Sequence, residues 1–599
     1  MSGKNLKESV RRLLHQVQTP GQYIGGEVNS VVKDHNKVRG TLCLCFPDTY
    51  AIGQSHHGLQ VLYSIMNSTD EFACERAFTP WLDFEEVMRQ ACLPLYSLES
   101  FTPLHEFDAI GFSLQYEVLY TNVLTMLDLG RIPLLAADRG HDHPLVIAGG
   151  PGAQNPEVLA DVIDLFIIGD GEESLPAVMR RWMEIKERGK GTRQEMIGEL
   201  AAAFPWAYAP AFYVSDYHAD GTLASIRRTR SDLPETIQAC QIREDLDAIP
   251  LPCRPVVSFV KTPHDRIAIE IMRGCPWQCR FCQSTVIKRP LRIRKVETIV
   301  SAALEAYRNT GCEEISLLSL STSDYPHFEE LVGRMAEVFA PLGVNVSLPS
   351  LRINNQLRSL PQLVKGVRKG GLTLAPEVAR DDMREQIRKK IKNDDLFEGC
   401  RQAFRHGWQK VKLYFLCGLP GERDIDLDGI VDMAEEIAQI SRQETGRFRE
   451  VVASVSNFVP KPHTPYQWSG MQPRAYYDRV RGHMLKRVSI RSVKIKQHDI
   501  DTSFLEGVLT RGDRRVGRGL LEAWRAGARL DGWQECFKPD IWRAAFERTG
   551  IDPLFFSHRD RPLSETLPWD HILTKRDRNF LETEQGKSRI QLELMSSPE

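Results

Sequence analysis

The stretch Gly274-Cys275-Pro276-Trp277-Gln278-Cys279-Arg280-Phe281-Cys282-Gln283 governs how the rest of the chain is interpreted. Its cysteines have the spacing C-x3-C-x2-C and follow an apolar run at 266–272 that is typical of a short buried strand. Such a loop gathers three thiolates, the ligands that iron–sulfur clusters prefer, and a cluster normally takes four. With only three protein ligands, one iron keeps an open position, as catalytic metals do. The spacing therefore predicts a cluster-binding loop with one free coordination site.

Two other interpretations exist for these cysteines, a structural zinc site and unrelated core packing. A zinc ribbon needs a fourth cysteine or histidine at a fixed short spacing, and none follows Cys282 at that spacing. The position of the loop at the end of a predicted strand also favours the cluster.

The loop resembles the signature of the radical S-adenosylmethionine (radical SAM) superfamily, including the aromatic Phe281 directly before the third cysteine. The resemblance implies a [4Fe-4S] cluster held by Cys275, Cys279 and Cys282, with Phe281 beside the cofactors. It implies that S-adenosylmethionine binds the open iron and is cleaved reductively to a 5′-deoxyadenosyl radical, chemistry that side chains cannot supply. It also implies an electron donor such as a flavodoxin or ferredoxin, and a substrate that the sequence does not identify.

Composition places the chain among ordinary globular proteins. Its 599 residues are 42% hydrophobic, carry a net charge of −2 and should form three or four domains. The N-terminus lacks the apolar core of a signal peptide, and no window has the roughly 20 apolar residues of a spanning helix. Thirteen scattered cysteines do not form a disulfide framework. These features predict a cytoplasmic protein with no membrane contact.

The first third of the chain alternates apolar runs with helical patterns, which predicts a doubly wound, mostly parallel sheet. The predicted strands are 42–46, 94–98, 108–114, 144–150 and 164–169. Glycine-rich turns at 147–152 and 168–172 follow two of these strands, at the edge where such sheets bind ligands. The predicted ligand site therefore lies at these turns.

This region resembles the cobalamin-binding domain that precedes the barrel in one class of radical SAM enzymes. The matching residues are Gly149, Gly150, Gly169 and Gly171, whose missing Cβ atoms would let the backbone approach a corrin closely. The Asp-x-His-x-x-Gly motif that ligates cobalt is absent, so no histidine ligand is expected if cobalamin binds. His56 and His57 are interpreted as polar residues at a helix start. A Rossmann-like domain without cobalamin is the alternative.

After the cysteine loop, predicted strands and helices alternate. Together with the strand before Cys275 they make six βα-type strands. This number matches the partial (β/α)6 barrel of the superfamily that the loop resembles. The fold class is thus α/β: a Rossmann-like doubly wound domain, a partial barrel and a mostly helical C-terminal extension. The predicted boundaries are an N-terminal segment at 1–40, the Rossmann-like domain at 41–204, a linker with a hairpin at 205–255, the barrel at 256–475 and the extension at 476–599.

Parallel strands present functional residues at their carboxyl ends. By resemblance, the residues there that contact S-adenosylmethionine are Ser319, Ser321, Arg352, Glu377, Arg384 and Gly418. Structural alternatives are a helix cap for the serines, a surface helix for Arg384 and an ordinary turn for Gly418. Cys417 and His463 are candidates for direct participation in the radical chemistry. The alternative for Cys417 is core packing, and the alternative for His463 is an ordinary position in a loop.

Two rival functions follow from the same sequence. A methylthiotransferase acting on RNA or protein would need a second cluster, and Cys43, Cys45, Cys74 and Cys92 lack the expected loop placement. A non-enzymatic RNA-binding or assembly protein would use the basic residues and tryptophans of the C-terminal extension for phosphate contacts and stacking. An amphipathic cap over the barrel explains those residues better, so RNA is not favoured as a partner.

Overall fold

The computed structural model describes residues 3–242, 245–348 and 371–596. The first domain is a six-stranded sheet with the order β2-β1-β3-β4-β5-β6, in which only β6 is antiparallel to its neighbour. Its strands are β1 (Gly40–Phe46), β2 (Phe72–Phe78), β3 (Ala109–Ser113), β4 (Leu145–Gly149), β5 (Leu165–Ile167) and β6 (Ala207–Tyr208). This order confirms the predicted doubly wound architecture.

Helices cover both faces of this sheet, and β1 and β2 are buried along their whole length, as is usual for parallel strands. The main helices up to the linker are Gly3–Leu13, Tyr50–Gln54, His57–Asn67, Leu82–Gln90, Tyr120–Leu129, Gly171–Arg188 and Arg193–Ala202.

One strand of this sheet was placed wrongly from the sequence. The run 94–98 forms no named strand, and the missing strand is β2, Phe72–Phe78. Its Glu75 and Arg76 interrupt the apolar pattern, yet both are buried, because His35 lies 2.7 Å from Glu75 and Glu99 lies 2.6 Å from Arg76. Charges that are paired inside a core hide a strand from hydrophobic periodicity.

The linker contains the predicted hairpin, formed by β7 (Tyr213–Tyr217) and β8 (Leu223–Arg228) with Gly221 at φ +84° in its turn. The next strand, β9 (Ile237–Gln238), pairs in parallel with β19 (Ile572–Leu573) near the other end of the chain. The linker and the C-terminal extension therefore share a small sheet.

The second domain alternates parallel strands and helices as predicted. One group contains β10 (Ile267–Glu270), β13 (Glu314–Leu318) and β14 (Asn345–Ser347), and a short hairpin joins β11 (Met272–Arg273) and β12 (Arg292–Ile293). The other group contains β15 (Leu372–Glu377), β16 (Lys410–Cys417), β17 (Glu450–Asn457) and β18 (Val493–Gln497). The outer helices are Ser284–Ile287, Val296–Thr310, Phe328–Phe339, Asp381–Gln386, Asn393–Arg405, Asp424–Thr445 and Arg474–Arg487.

These two groups do not join into a closed barrel within the ranges that the structure describes. The parallel sheet extends past residue 475, because β18 pairs with β17. The extension was predicted to be mostly helical from residue 476, but the helix Arg474–Arg487 ends early in it and the chain then forms this strand. The alternation of half-buried and exposed side chains along 493–497 is the period-2 pattern of an edge strand.

The C-terminal extension is mostly helical, with helices Ile500–Arg511, Val516–Arg525, Pro539–Thr549, Pro553–Ser557 and Arg578–Ser596. The first four complete the core of the first domain, which includes Leu509, Leu520, Trp524 and Phe546. The last of them, called here the C-terminal helix (Arg578–Ser596), packs against the short helix at the end of β15 in the second domain. Ile500 lies in the core of the second domain, and Trp569 packs with Val286 and Trp468, so several parts of the extension contact the barrel.

Candidate active site at the domain interface

The cysteine loop begins directly after β11 with Gly274, which has φ +92°. A Cβ there would lie 2.7 Å from the carbonyl oxygen of Lys288, so the tight entry into the loop requires glycine. The amide of Cys282 donates a hydrogen bond to the carbonyl of Cys279 at 3.1 Å. Arg289, which the sequence did not single out, donates to the carbonyls of Cys275 at 3.3 Å and Trp277 at 2.9 Å. These bonds fix the curvature of the loop.

The three cysteines of this loop are largely withdrawn from solvent. Cys275 and Cys279 are buried and Cys282 is half-buried. Burial raises the pKa of the Cys282 thiol, and its neighbour Cys275 raises the pKa further. In the ranges with assigned structure, no group of three or more His, Cys, Asp or Glu side chains is arranged to hold a single metal ion. A [4Fe-4S] cube is ligated at a different iron by each cysteine, so its ligands need not converge on one point.

Glu377 ends β15 beside the cysteine loop. Its backbone has φ +66°, a conformation that costs about 1–3 kcal/mol for a residue other than glycine and that is common at functional sites. Its carboxylate lies 3.1 Å from the ammonium group of Lys389. Both groups are close enough to Cys282 to act on its pKa, which Glu377 raises and Lys389 lowers. The structure thus brings Glu377 to the loop, together with a lysine that the sequence analysis missed.

The serine-rich turn after β13 is tied to the cysteine loop through Asp324. Trp277 Nε1 donates to Asp324 Oδ2 at 2.7 Å, and the Ser321 hydroxyl donates to the same oxygen at 2.5 Å. The amide of Ser321 donates to Ser319 Oγ at 3.2 Å. Asp324 was not predicted, although its position three residues after Ser321 is typical of a residue that closes a turn.

Arg384 is buried behind the end of β15. Its guanidinium donates to the carbonyls of Val378 at 3.0 Å and Ala379 at 2.8 Å, and it pairs with Asp381 at 2.5 Å. These contacts stabilise the segment after Glu377. The other predicted arginine, Arg352, lies outside the described residues.

Cys417 and Gly418 lie at the end of β16 in packed surroundings. Cys417 is fully buried, donates to Asn457 Oδ1 at 3.6 Å, and has its pKa raised by burial. Gly418 has φ +86°, and a Cβ there would lie 2.6 Å from the hydroxyl of Tyr477. Phe281 packs against a small core that contains Leu419. Packing and turn geometry account for Cys417 and Gly418.

His463 joins the two domains. Its Nε2 donates to the carbonyl of Gln154, in the turn after β4, at 3.0 Å. Burial lowers the pKa of His463 to about 4, so the ring is neutral near neutral pH. The loop after β17 is thus anchored to the first domain through this histidine.

A cavity of about 400 Å³ lies between the two domains. Its walls come from the carboxyl ends of β1, β3, β4 and β5 on one side, and from β10, β11 and the cysteine loop on the other. The four glycines predicted for the corrin site line it, as does Ser319, whereas Gly418 does not. The other polar or loop residues of the lining include Gln115, Asp170, Glu172, Glu270, Arg273, Gly274, Ser284 and Lys288.

Two of these glycines are required by the packing of the protein itself. A Cβ on Gly150 would lie 2.6 Å from the carbonyl oxygen of Leu114, and one on Gly169 would lie 2.1 Å from that of Cys240. Both have positive φ, +100° and +113°. Close approach to a ligand is therefore not needed to explain these glycines, and their role in cofactor binding stays a prediction.

An ion-pair network crosses the cavity wall and joins the domains. Arg273 of the second domain pairs with Glu172 of the first at 2.5 Å, and with Glu270 of its own strand end at 2.8 Å. Arg292 pairs with Asp170 at 2.8 Å. No sequence pattern indicated the pairs Arg273–Glu172 and Arg292–Asp170, because their members come from distant segments that only the fold brings together.

The two neighbouring histidines at this wall have different surroundings. His56 caps the helix His57–Asn67, because its Nδ1 accepts a hydrogen bond from the amide of Leu59 at 3.1 Å, as expected for a helix start. His57 lines the cavity, and both of its ring nitrogens are shielded from solvent without a hydrogen-bond partner among the described residues. Burial lowers the pKa of His57. The His57 ring thus forms part of the cavity wall, with its two nitrogens turned away from solvent.

Two family models match the chain. Residues 58–210 match "Radical SAM proteins, N-terminal", and residues 269–434 match "Radical SAM superfamily". An uncharacterized protein of Methanocaldococcus jannaschii is 25% identical over 435 residues, which are 71% of this chain and 82% of that protein. The ribosomal protein uS12 methylthiotransferase RimO of Thermosynechococcus vestitus is 25% identical over 322 residues, 50% of this chain and 68% of that protein.

Solved structures with a similar arrangement have low sequence identity. The radical S-adenosylmethionine methyltransferase TsrM of Kitasatospora setae, with cobalamin and a [4Fe-4S] cluster bound, aligns with a TM-score of 0.48 and 12% identity, over 85% of this chain and all of that chain. The cobalamin-dependent S-adenosylmethionine radical enzyme OxsB aligns with a TM-score of 0.45 and 11% identity, over 94% of this chain and 80% of that chain.

No helix in the described ranges is long and apolar enough to cross a membrane. Both family models and the three-cysteine loop agree on one assignment. The chain belongs to the radical SAM superfamily, the enzymes that use a [4Fe-4S] cluster and S-adenosylmethionine.

Proposed function

We propose that this enzyme is a cobalamin-dependent methyltransferase whose cluster loop and corrin site face each other across the interdomain cavity. The observation that carries the proposal is the composition of the cavity wall. The turns at Gly149–Gly150 and Gly169–Gly171 form one side, and Gly274 and Ser284 of the cysteine-loop region form the other. A ligand in this cavity would therefore lie between the carboxyl edge of a doubly wound sheet and a cluster.

Cys275, Cys279 and Cys282 would hold the cluster, which supplies the electron that cleaves S-adenosylmethionine when it is bound. Two features next to the loop are suited to hold the methionyl and ribose groups of that molecule. One is the hydroxyl-rich turn that Asp324 fixes to Trp277. The other is the Glu377–Lys389 pair, which offers one acceptor group and one cation. Arg352 is proposed as a further contact.

The cavity also fits the chemistry expected of a corrin site. Its lining is largely apolar, with a few polar groups, and its volume is in the range of about 300–1,000 Å³ for ligand pockets. The ring of His57 forms part of the cavity wall. Because a whole corrinoid is larger than this cavity, part of the bound cofactor must extend beyond it.

Methylthio transfer is the second candidate, and the RimO relative supports it. That reaction needs a second cluster. Cys43 and Cys45 are buried within β1 and Cys74 within β2, where the sheet surrounds them. These three cysteines are thus poorly placed to form a second cluster loop, which favours methyl transfer.

Anaerobic purification, reconstitution with iron and sulfide, and absorption spectroscopy test the proposal. We expect one cluster per chain, a bound corrin, and formation of both 5′-deoxyadenosine and S-adenosylhomocysteine after reduction. A protein that retains no corrin when it is supplied with cobalamin contradicts the methyltransferase proposal. A second cluster per chain would instead support methylthio transfer.

Two cellular properties belong to the same proposal. Reductive cleavage requires a one-electron donor, for which we propose a flavodoxin or ferredoxin. We also propose that the enzyme works in the cytoplasm, where a reducing environment protects the cluster.

A further inference from the structure

The C-terminal helix reaches the cysteine loop through one buried carboxylate. Glu584 has a side chain that is only 4% exposed and lies 3.4 Å from Arg280 Nε. Arg280 stands between the second and third cysteines of the loop. The carboxylate also lies 2.7 Å from Arg388 and 3.0 Å from Lys587. Glu584 thus pairs with cations from two segments of the second domain and with one from its own helix.

The two arginines are themselves part of the loop's support. The amide of Arg280 donates to the carbonyl of Ile387 at 3.1 Å, and its guanidinium donates at 2.5 Å to Gln386 and to Gln591 of the C-terminal helix. The thiol of Cys279 lies 3.8 Å from the carbonyl of Arg388. A change in the charge of Glu584 or of these arginines therefore alters the electrostatic potential next to the cysteine ligands.

We propose that Glu584 is a positioning residue that sets the reduction potential of the cluster by compensating the charges of Arg280 and Arg388. The proposal assigns a role to the C-terminal helix and rests on the proposed ligation of the cluster by the three cysteines. Cluster potentials depend on net charge, hydrogen bonding and solvent exposure around the cluster. Glu584 and Arg280 are both buried, so their charges are weakly screened.

The sign of the effect follows from the charges. Reduction adds a negative charge to the cluster. Loss of the Glu584 charge leaves the arginines uncompensated, which stabilises the reduced form and raises the potential. Loss of the Arg280 charge has the opposite effect. A cluster with a raised potential is a weaker reductant, so cleavage of S-adenosylmethionine should become slower.

The test is a redox titration of reconstituted full-length protein, followed by electron paramagnetic resonance, with iron content as a check on cluster loading. For Glu584→Gln we expect at least a tenfold rise in the reduced-to-oxidised ratio at a fixed ambient potential, which is about 59 mV for one electron. Arg280→Met should shift the potential in the negative direction. The double variant should return towards the wild-type value, because its charges balance again.

Glu582→Gln is the matched control. Glu582 lies on the same helix and pairs with Arg578 at 2.7 Å in a partly exposed ion pair, so the same loss of charge should leave the potential unchanged. Glu584→Asp keeps the charge and should preserve the potential.

Three outcomes would overturn the proposal. One is a loaded Glu584→Gln protein with the wild-type potential, and another is an equal shift in Glu582→Gln. If the Glu584→Gln variant does not take up a cluster, the Arg388→Met variant is measured instead. An unchanged cluster potential in that variant refutes the proposed role of Glu584. Absence of a cluster from the wild-type protein would instead refute the proposed ligation, which separates the two failures.

Discussion

Asp170 and Arg292 come from different domains and form a buried ion pair at 2.8 Å. Asp170 is also 3.3 Å from Arg273, so one carboxylate receives two guanidinium groups at the edge of the cavity. Burial acts to raise the pKa of Asp170, but Arg273, Lys288 and Arg292 outweigh it and hold the pKa below its usual value.

We expect Asp170→Asn to destabilise the protein strongly. Removal of one partner leaves buried cationic groups without compensation, which typically costs about 3–5 kcal/mol. The midpoint of urea unfolding, followed by tryptophan fluorescence, measures the loss. Asp216→Asn is the control, because Asp216 pairs with Arg227 in an exposed salt bridge worth less than about 1 kcal/mol. Similar midpoints for the two variants would show that the interdomain pair contributes little.

Replacement of Cys282 by alanine should abolish cluster loading, because two remaining thiolates cannot hold a cube with one open iron. Iron content per chain after anaerobic reconstitution measures the effect, with 5′-deoxyadenosine formation as a second readout. Cys253→Ala is the matched control, since Cys253 is a cysteine outside the loop of similar intermediate exposure. Full iron content in the Cys282 variant would exclude this cysteine as a ligand.

His57→Leu should weaken corrin retention, because the substitution replaces a planar ring in the cavity wall by a branched aliphatic side chain. We expect at least a tenfold loss in the affinity for added cobalamin, measured by equilibrium dialysis of the anaerobic protein. His218→Gln is the control, because His218 is exposed and does not line the cavity. Equal affinity in both variants would remove His57 from the site.

Acid should destabilise the protein through its buried histidines. The pKa of His571 is lowered to about 3, chiefly by burial, against about 6.5 in an unfolded chain. The unfolded state therefore binds more protons as the pH falls below about 6.5, and the stabilising contribution is lost between that pH and about 3. At pH 5 the titration of His571 lowers the free energy of unfolding by about 2 kcal/mol, and that of His463 lowers it by a similar amount.

His571→Phe isolates this effect. Neither ring nitrogen of His571 has a hydrogen-bond partner within the described ranges, and the ring packs against Tyr208, so phenylalanine should fit without a lost bond. Urea unfolding at pH 7 and pH 5 should show a pH-dependent loss that is smaller by about 2 kcal/mol than in the wild type. The exposed His218→Gln is the control, and an unchanged pH dependence in His571→Phe would contradict the assignment.

The sequence was most informative where a single short motif or pattern indicates the chemistry or the fold. The spacing of Cys275, Cys279 and Cys282 and the alternation of apolar runs predicted the family and the α/β architecture. Glu377 was also predicted, and it lies beside the cysteine loop. Each of these signals is contained within a short segment, so no knowledge of long-range contacts was needed.

Features that depend on distant segments were missed. The strand β2 was hidden because Glu75 and Arg76 are buried with partners from other elements. Lys389, Asp324 and Arg289 became recognisable only through their contacts with the loop region. Glu584 and Arg280 are 304 positions apart in the sequence, and no periodic pattern in the sequence predicts that they pair.

The helices at 500–557 complete the core of the first domain although they are encoded far downstream of its sheet. At a synthesis rate of roughly 5–20 residues per second, a nascent chain exposes the uncovered apolar face for tens of seconds before these helices leave the ribosome. During translation, the first domain is therefore an incomplete unit that chaperones can capture, and premature termination in the barrel would release an aggregation-prone fragment.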